Sequence, residues 1–201
     1  MCYKRENVEF LKSLEKRTIT INDYCYAYYR AKVLPLPKNQ QEMIKKVAQK
    51  TVEILPKHPY NGRVNEFGNH MEKVLRAAIK DVLGVKARGL GTGYPDVHFK
   101  FKGKNYYPEC KVTKDFEPDS FRFFYTSAPS ETTKANKKIA DGYHLLFHFQ
   151  HDMRGRGKGS LTGKYKISDL EGFLYRNESI QQGNKKDLYL THKNIIAQND
   201  S

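Results

Sequence analysis

The chain has 201 residues, enough for one domain of moderate size with a hydrophobic core of its own. Lysine and arginine total 36 against 22 aspartates and glutamates, and the formal net charge of +14 predicts a polyanionic partner. No apolar run approaches the roughly 20 residues of a membrane-spanning helix, and the amino terminus lacks the apolar core of a signal peptide. We therefore expect no membrane partner. The three cysteines form no CxxC pair, so we expect reduced thiols and a cytoplasmic location.

The amino-terminal region, residues 1–60, is predicted to be helical. Its helical stretches are residues 6–16, 21–33 and 39–55. Thr20 is placed to cap the second of these helices. A longer helix is predicted over residues 64–83, where apolar side chains are spaced three and four apart, and Gly84 is its expected stop.

Two strand-like segments follow that helix and predict a β-hairpin. Residues 97–102 alternate apolar and polar, and after a short polar break residues 106–112 form a second, aromatic run. Residues two apart in a strand share a face, so Glu109 and Lys111 are expected to project together. Cys110 should then point to the opposite, buried side.

Two short motifs at this hairpin bring carboxylates and an amine together: Pro95-Asp96 and Glu109-Cys110-Lys111. Asp96 lies at the start of the first strand. If that start splays toward its partner strand, Asp96 and Glu109 can converge on one divalent cation, with Lys111 beside them as a cationic donor. Hard oxygen ligands of this kind suit Mg²⁺. The alternative is a solvated Glu/Lys pair on an ordinary hairpin.

This arrangement resembles the PD-(D/E)xK nuclease superfamily, which includes many type II restriction endonucleases. The residues that carry the resemblance are Pro95, Asp96, Glu109 and Lys111. A helix, a hairpin, a further helix and an apolar strand follow one another over residues 64–150, which is the order of the superfamily's αβββαβ core.

The resemblance implies an α/β fold with a restriction-endonuclease-like core, in which helices flank a mixed central sheet. The chain is then one nuclease domain over residues 1–201. Residues 1–60 form its helical amino-terminal region and residues 64–150 its catalytic core. Residues 151–201 form a basic loop and a carboxy-terminal extension.

The resemblance also implies the roles of the site residues. Asp96 and Glu109 bind Mg²⁺, and the backbone carbonyl of Cys110 adds a ligand. Lys111 orients the attacking water, stabilises negative charge on phosphate, or acts as a base if the site depresses its pKa. The sequence does not choose among these three roles.

In nucleases of this type a glutamate on a helix often completes the metal site, and the helix over residues 64–83 offers Glu66 and Glu72. Glu72 is the preferred candidate, because Gly68 one turn earlier could let this face pack closely on the sheet. Glu66 lies in the first turn and is equally explained as a residue that complements the helix dipole. Both could also be solvated surface charges.

A basic segment near the carboxy terminus is the leading candidate for DNA contact. Its cations are Arg154, Arg156, Lys158, Lys164 and Lys166. A flexible loop of this composition can follow a phosphate backbone, and its arginines can read guanine edges in the major groove. The alternative is a mobile, solvated hairpin loop. Lys134 and Lys137, on a helix predicted to open at residues 130–133, either face phosphate or belong to a solvated face.

These expectations combine into a Mg²⁺-dependent type II restriction endonuclease that cuts double-stranded DNA at a specific sequence. Cleavage of both strands would need a symmetric homodimer in the simplest case, and the cognate DNA methyltransferase is expected as a separate protein. A structure-specific junction or repair nuclease of the same fold remains an alternative, as does a non-catalytic DNA-binding module.

Overall fold

The computed structural model describes residues 13, 17–57, 60, 62, 66–91, 93–114, 116, 124–125, 137–152, 161–179, 182–184 and 195–199. Apart from Ser13, the helix predicted over residues 6–16 lies outside them. None of the helices in these ranges is long and apolar enough to cross a membrane.

Three α-helices occupy the described part of the first half of the chain: α1 (Ile21–Tyr29), α2 (Lys38–Ile54) and α3 (Phe67–Leu83). Thr20 caps α1 as predicted, because its hydroxyl accepts a hydrogen bond from Asp23 N at 3.0 Å while Asp23 Oδ2 accepts one from Thr20 N at 2.9 Å. Gly84 ends α3 in the left-handed conformation, with φ of 67°. The predicted helices over residues 39–55 and 64–83 are therefore confirmed.

The described strands are β1 (Arg17–Thr20), β2 (Arg88–Gly89), β3 (Val97–Phe101), β4 (Lys104–Thr113), β5 (Phe124–Tyr125), β6 (Gly142–His151), β7 (Leu161–Asp169), β8 (Leu174–Ser179), β9 (Gln182–Asn184) and β10 (Ile195–Asn199). Six of them form a sheet in the order β10-β7-β6-β4-β3-β2, and four form a smaller sheet in the order β1-β8-β9-β5. In the larger sheet β4 and β6 are parallel and the other neighbours are antiparallel, so the sheet is mixed.

Helices cover both faces of the six-stranded sheet. On one face, α2 and α3 pack against alternate residues of the central strands, with Leu145, Phe147 and Ile167 fully buried among them. On the other face, α1 packs against Leu146 and against the segment around Phe173. Each large apolar side chain buried in this way stabilises the fold by about 1.5–3 kcal/mol. The predicted α/β architecture, a mixed sheet flanked by helices, is confirmed at this level.

The prediction that the amino-terminal region is helical throughout was wrong. Residues 17–20 are strand β1, which pairs antiparallel with β8, and their β-branched side chains favour that conformation. The helix predicted over residues 21–33 ends at Tyr29, because Arg30 adopts a left-handed conformation with φ of 56°. The chain then runs extended, and Val33 forms a parallel bridge with Gly142 at the start of β6.

The carboxy-terminal region was predicted as a basic loop with an extension, and this was also wrong in part. Residues 161–169 are β7 and residues 195–199 are β10, both in the six-stranded sheet. Lys164 and Lys166 therefore lie on a strand and not in a loop. The buried Tyr165 and Ile167 alternate with the two lysines, which is the period of a half-buried strand.

The helix expected near Lys134 and Lys137 falls largely outside the described residues. Residues 137–140, which are described, have no helical or strand structure. They lead directly into β6. Because β4 and β6 are parallel, the chain between them must cross over from one end of the sheet to the other.

Candidate active site

The hairpin of β3 and β4 is present as predicted. Phe99 pairs with Tyr106 and Phe101 pairs with Lys104. The two residues of the connecting turn, Lys102 and Gly103, have φ values of 47° and 75°. Positive φ at both positions suits a tight two-residue hairpin turn, which fixes the register of β4 against β3.

Strand β4 lies between β3 and β6, in the interior of the sheet, and its alternate residues face opposite sides. Cys110 packs into the apolar core with α2 and α3. Glu109 and Lys111 share the other face, and Lys111 Nζ lies 2.5 Å from Glu109 Oε1. Glu109 is only 1% exposed, so this ion pair is set into the protein and is not a solvated surface pair.

Asp96 reaches across from the residue before β3 to the backbone of β4. Its Oδ2 atom accepts a hydrogen bond from Cys110 N at 2.9 Å. This bond holds the Asp96 carboxylate beside Glu109. Burial raises the pKa of Glu109 to about 8, and the negative charge of Asp96 adds to that rise. The convergence of the two carboxylates expected from the sequence is therefore present in the structure.

Lys111 is held in its charged form by these carboxylates. Burial alone would lower its pKa, but the charges of Glu109 and Asp96 outweigh burial and raise the pKa above its ordinary value. In this arrangement Lys111 is an ammonium group that donates hydrogen bonds.

Glu72 on α3 belongs to the same electrostatic group. Burial, with a further contribution from the charge of Asp96, raises the pKa of Glu72 to about 7 against the opposing effect of Lys111. Glu66 is exposed at the amino-terminal end of α3 and makes no side-chain capping bond. Of the two candidate glutamates, Glu72 is the one that lies within reach of the Asp96 and Lys111 charges.

The expected reason for the position of Glu72 was wrong. A Cβ atom added at Gly68 would meet nothing within 4 Å among the described residues, so Gly68 does not mark a close approach of α3 to the sheet. The side of α3 that packs on the sheet consists of larger buried side chains, among them Met71 and Leu75.

One carboxylate oxygen of the site lacks a hydrogen bond among the described residues. Glu109 Oε2 is buried and has no hydrogen-bond partner within the described part of the chain. In the same part of the chain, no group of three or more His, Cys, Asp and Glu side chains has the spacing of a metal site. The carboxylates of Asp96, Glu109 and Glu72 lie near one another and form the acidic group of the site. Lys111 is their counter-charge.

The loop before Asp96 is held by side chains that the sequence did not single out for that role. Tyr29 of α1 donates a hydrogen bond from its hydroxyl to Tyr94 O at 2.9 Å. The Tyr94 hydroxyl lies 2.6 Å from Nδ1 of the buried His144. Burial lowers the pKa of His144 to about 3, so this histidine is neutral. No local sequence pattern connects Tyr29 to Tyr94, because the two residues lie on different elements.

The predicted DNA-contacting residues divide into two groups. Arg154, Arg156, Lys158 and Lys134 lie outside the described residues. Lys164, Lys166 and Lys137 lie inside them, the first two on β7.

Lys166 stands on the face of the sheet that carries the acidic group. His148 of β6 is paired in register with Lys111 on one side and with Lys166 on the other, so the three side chains form a row across three strands. Lys166 Nζ lies 4.6 Å from the centre of the Phe116 ring. His148 Nε2 lies 2.7 Å from Thr113 Oγ1. His148 is not among the residues predicted for the site, although its alternation with Phe147 and Phe149 puts it on this face.

Lys137 does not project from a helix surface as expected. Its Nζ atom donates hydrogen bonds to backbone carbonyls of the loop before Asp96, at Gly91, Gly93 and Pro95.

The class of protein is defined by its family: residues 14–192 match the type II restriction enzyme MjaV family, so the chain belongs to that family. The chain is 27% identical, over 220 aligned residues, to the type II restriction enzyme MjaV of Methanocaldococcus jannaschii, and the alignment covers 93% of each protein. No solved structure matches the chain.

Proposed function

We propose that this protein is a Mg²⁺-dependent endonuclease that cuts double-stranded DNA at a specific sequence. Asp96, Glu109 and Lys111 are its catalytic group, in a PD-(D/E)xK site on a restriction-endonuclease-like core. One observation carries the proposal: in a member of a restriction enzyme family, Asp96 is hydrogen-bonded to the backbone of the strand that bears the buried Glu109 and its ion-pair partner Lys111.

The acidic residues fit a divalent cation by their chemistry. The charge of Asp96 raises the free energy of the charged form of Glu109, and Glu109 Oε2 has no hydrogen-bond partner among the described residues. A cation shared by the two carboxylates would remove both costs. Asp96, Glu109 and the carbonyl of Cys110 would hold it, with Glu72 as a further candidate. Bound there, Mg²⁺ supplies charge neutralisation at the phosphate and makes a water molecule more acidic.

Lys111 contributes a fixed positive charge. Phosphodiester hydrolysis adds a water oxygen to phosphorus and releases one sugar oxygen, and negative charge develops on the phosphate oxygens during the step. An ammonium group beside Glu109 can donate a hydrogen bond to such an oxygen or to the attacking water. Its raised pKa supports these two roles over that of a general base.

The DNA lies, in this proposal, along the face of the sheet that carries Lys111. Lys166 and Lys164 on β7 extend the positive charge of that face away from the catalytic group. Arg154, Arg156, Lys158 and Lys134 are proposed as further phosphate or base contacts. The net charge of +14 supports a polyanionic substrate, and binding should weaken steeply as salt is raised.

A type II enzyme of this kind acts most simply as a homodimer, because two symmetric active sites can cut the two strands of a symmetric sequence. The cell must protect its own copies of that sequence. We therefore propose a separate DNA methyltransferase as the functional companion of this protein, and the cytoplasm as the place where both act.

Cleavage of unmethylated plasmid and phage DNA, with Mg²⁺ or with EDTA, tests the proposal. Wild-type protein should produce discrete fragments that require Mg²⁺. Asp96→Asn keeps an oxygen for the Cys110 N bond but removes the charge, and Lys111→Met removes the ammonium group. Each should slow cleavage by about 1,000-fold. The matched control is Asp81→Asn, which removes an exposed carboxylate from α3 and should cut at the wild-type rate.

Three results would contradict the proposal. If all DNA stays intact while gel shifts show binding, the protein is a non-catalytic module. If four-way junctions are cut and linear duplexes are not, it is a structure-specific nuclease. Cleavage that survives in both site variants would show that the catalytic group lies elsewhere.

A further inference from the structure

The loop that delivers Asp96 to the site has no helix or strand at residues 90–91 and 93–96, which are its described part. Gly91 and Gly93 adopt φ values of 76° and 88°, a region that other residues rarely enter. One backbone bond closes the loop, from Leu90 N to Asp96 O at 2.7 Å. The position of the Asp96 carboxylate therefore depends on what holds the loop carbonyls.

Lys137 binds these loop carbonyls. Its Nζ atom donates to Gly91 O at 3.3 Å, to Pro95 O at 3.0 Å, and to Gly93 O. An ammonium group has three donors and no acceptor. The loop thus takes all the hydrogen bonds that this side chain can make, and none is left for a DNA phosphate.

Lys137 also lies within the field of the acidic group. Burial lowers its pKa, while the charges of Glu109, Asp96 and Glu72 each raise it. Lys137 and Lys111 together bring two positive charges to these three carboxylates. Lys111 meets them from β4 itself, whereas Lys137 meets them from the loop side.

The two segments that Lys137 joins lead into the two strands beside β4. Residues 137–141 lead into β6, and residues 91–96 lead into β3. A bond between these segments therefore ties together the entrances of both neighbours of the strand that carries Glu109 and Lys111. Tyr29 adds a second tie to the same loop, at Tyr94 O.

We propose that Lys137 is a positioning residue, which clamps the loop over residues 91–95 and thereby fixes Asp96 beside Glu109, and that it is not a phosphate contact. The catalytic consequence of this role rests on the proposed nuclease function. The clamp itself does not, so it can be tested on protein that is not cutting DNA.

Hydrogen exchange followed by mass spectrometry tests the clamp directly. Lys137→Met removes the three donors but keeps most of the side-chain volume, and Lys138→Met changes the exposed lysine next to it. The Leu90 and Cys110 amides are the reporters, because each is bonded to Asp96. Lys137→Met should speed their exchange by about tenfold, while α3 peptides and the Lys138→Met protein exchange like wild type. Equal exchange at both reporters in the two variants would overturn the proposal.

Kinetics then separate positioning from DNA contact. Lys137→Met should lower the single-turnover cleavage rate by about 10-fold to 100-fold at saturating DNA and Mg²⁺, and leave the DNA Kd measured in Ca²⁺ within about twofold of wild type. Lys137→Arg keeps charge and donors and should recover part of the rate. A weakened Kd and a smaller salt dependence, with an unchanged single-turnover rate, would make Lys137 a phosphate contact and overturn the proposal.

Wild-type protein that cuts no DNA would refute the proposed nuclease function. It would leave the Lys137 clamp standing, because the exchange result does not depend on cleavage.

Discussion

The two faces of strand β4 differ in chemistry although both are buried. Cys110 is 4% exposed and packs with α2 and α3 as a small apolar group. Glu109, its neighbour in the chain, is 1% exposed, and its carboxylate is ion-paired with Lys111 on the same face of the strand. Burial of the apolar face stabilises the folded state. Burial of the charged face costs desolvation free energy, which ion pairs and hydrogen bonds must offset. Alternate residues of one strand therefore serve stability on one face and chemistry on the other.

The largest expected effect on stability comes from removing a buried side chain that packs on the apolar face. Leu145 on β6 is fully buried against the helices, and Leu145→Ala should lower the free energy of unfolding by about 3 kcal/mol. Urea unfolding measures this change. Leu83→Ala, at the half-exposed end of α3, is the control and should lower it by about 1 kcal/mol or less. An equal loss in both variants would mean that this face does not dominate stability.

The charged face should make stability depend on pH. The pKa of Glu109 rises from 4.5 to about 8 through burial and the charge of Asp96. A carboxyl group with a higher pKa in the folded state binds its proton more tightly there. The folded protein therefore loses stability as pH rises from about 4.5 to about 8, with no further loss from this group above that range. In EDTA, the melting temperature of Glu109→Gln should fall less over this range than that of wild type.

The control for the pH experiment is Glu42→Gln, which changes an exposed carboxylate on α2 and should keep the wild-type pH dependence. Adding Mg²⁺ at pH 8 should raise the wild-type melting temperature, because a cation compensates the buried charge, and should raise that of Glu109→Gln by less. The same pH dependence in all three proteins would show that Glu109 is not the buried group responsible.

A smaller effect should come from the edge of the charged face. Lys166→Ala removes a cation two strands away from Lys111, and we expect DNA affinity to fall by about 3-fold to 10-fold with a reduced salt dependence. Single-turnover cleavage at saturating DNA should stay close to wild type. Lys80→Ala, which removes an exposed lysine from α3, is the control and should bind normally. Equal losses in the two variants would mean that the whole surface, and not this face, attracts DNA.

The sequence predicted the features of this molecule that depend on local pattern. The hairpin followed from alternation and a turn, and α2 and α3 followed from apolar spacing, so the approach of Asp96 to Glu109 could be expected before the structure was known. Strand β7 could have been found as well, because the buried Tyr165 and Ile167 alternate with lysines. The glycines before it favoured the prediction of a loop instead.

The support of Asp96 could not be predicted in the same way. Lys137 and the carbonyls it binds are separated by 42 to 46 positions along the chain. Nothing in the composition of either segment indicates the other. A basic residue near a nuclease site suggests phosphate contact when only its charge is known, and its partners become visible only when the fold has brought the two segments together.

The bridge between Val33 and Gly142 limits how the chain could be shortened. Gly142 N donates to Lys32 O at 3.1 Å and Leu34 N donates to Gly142 O at 2.9 Å, so the segment after α1 is bonded to the first residue of β6. A Cβ atom at Gly142 would lie 2.7 Å from Asn105 O, which leaves no room for a side chain there. A fragment cut out at residue 64 would lose these bonds together with α1 and α2. Residues 64–150 therefore do not form a self-sufficient unit around the acidic group, because part of its supporting structure comes from the amino-terminal residues.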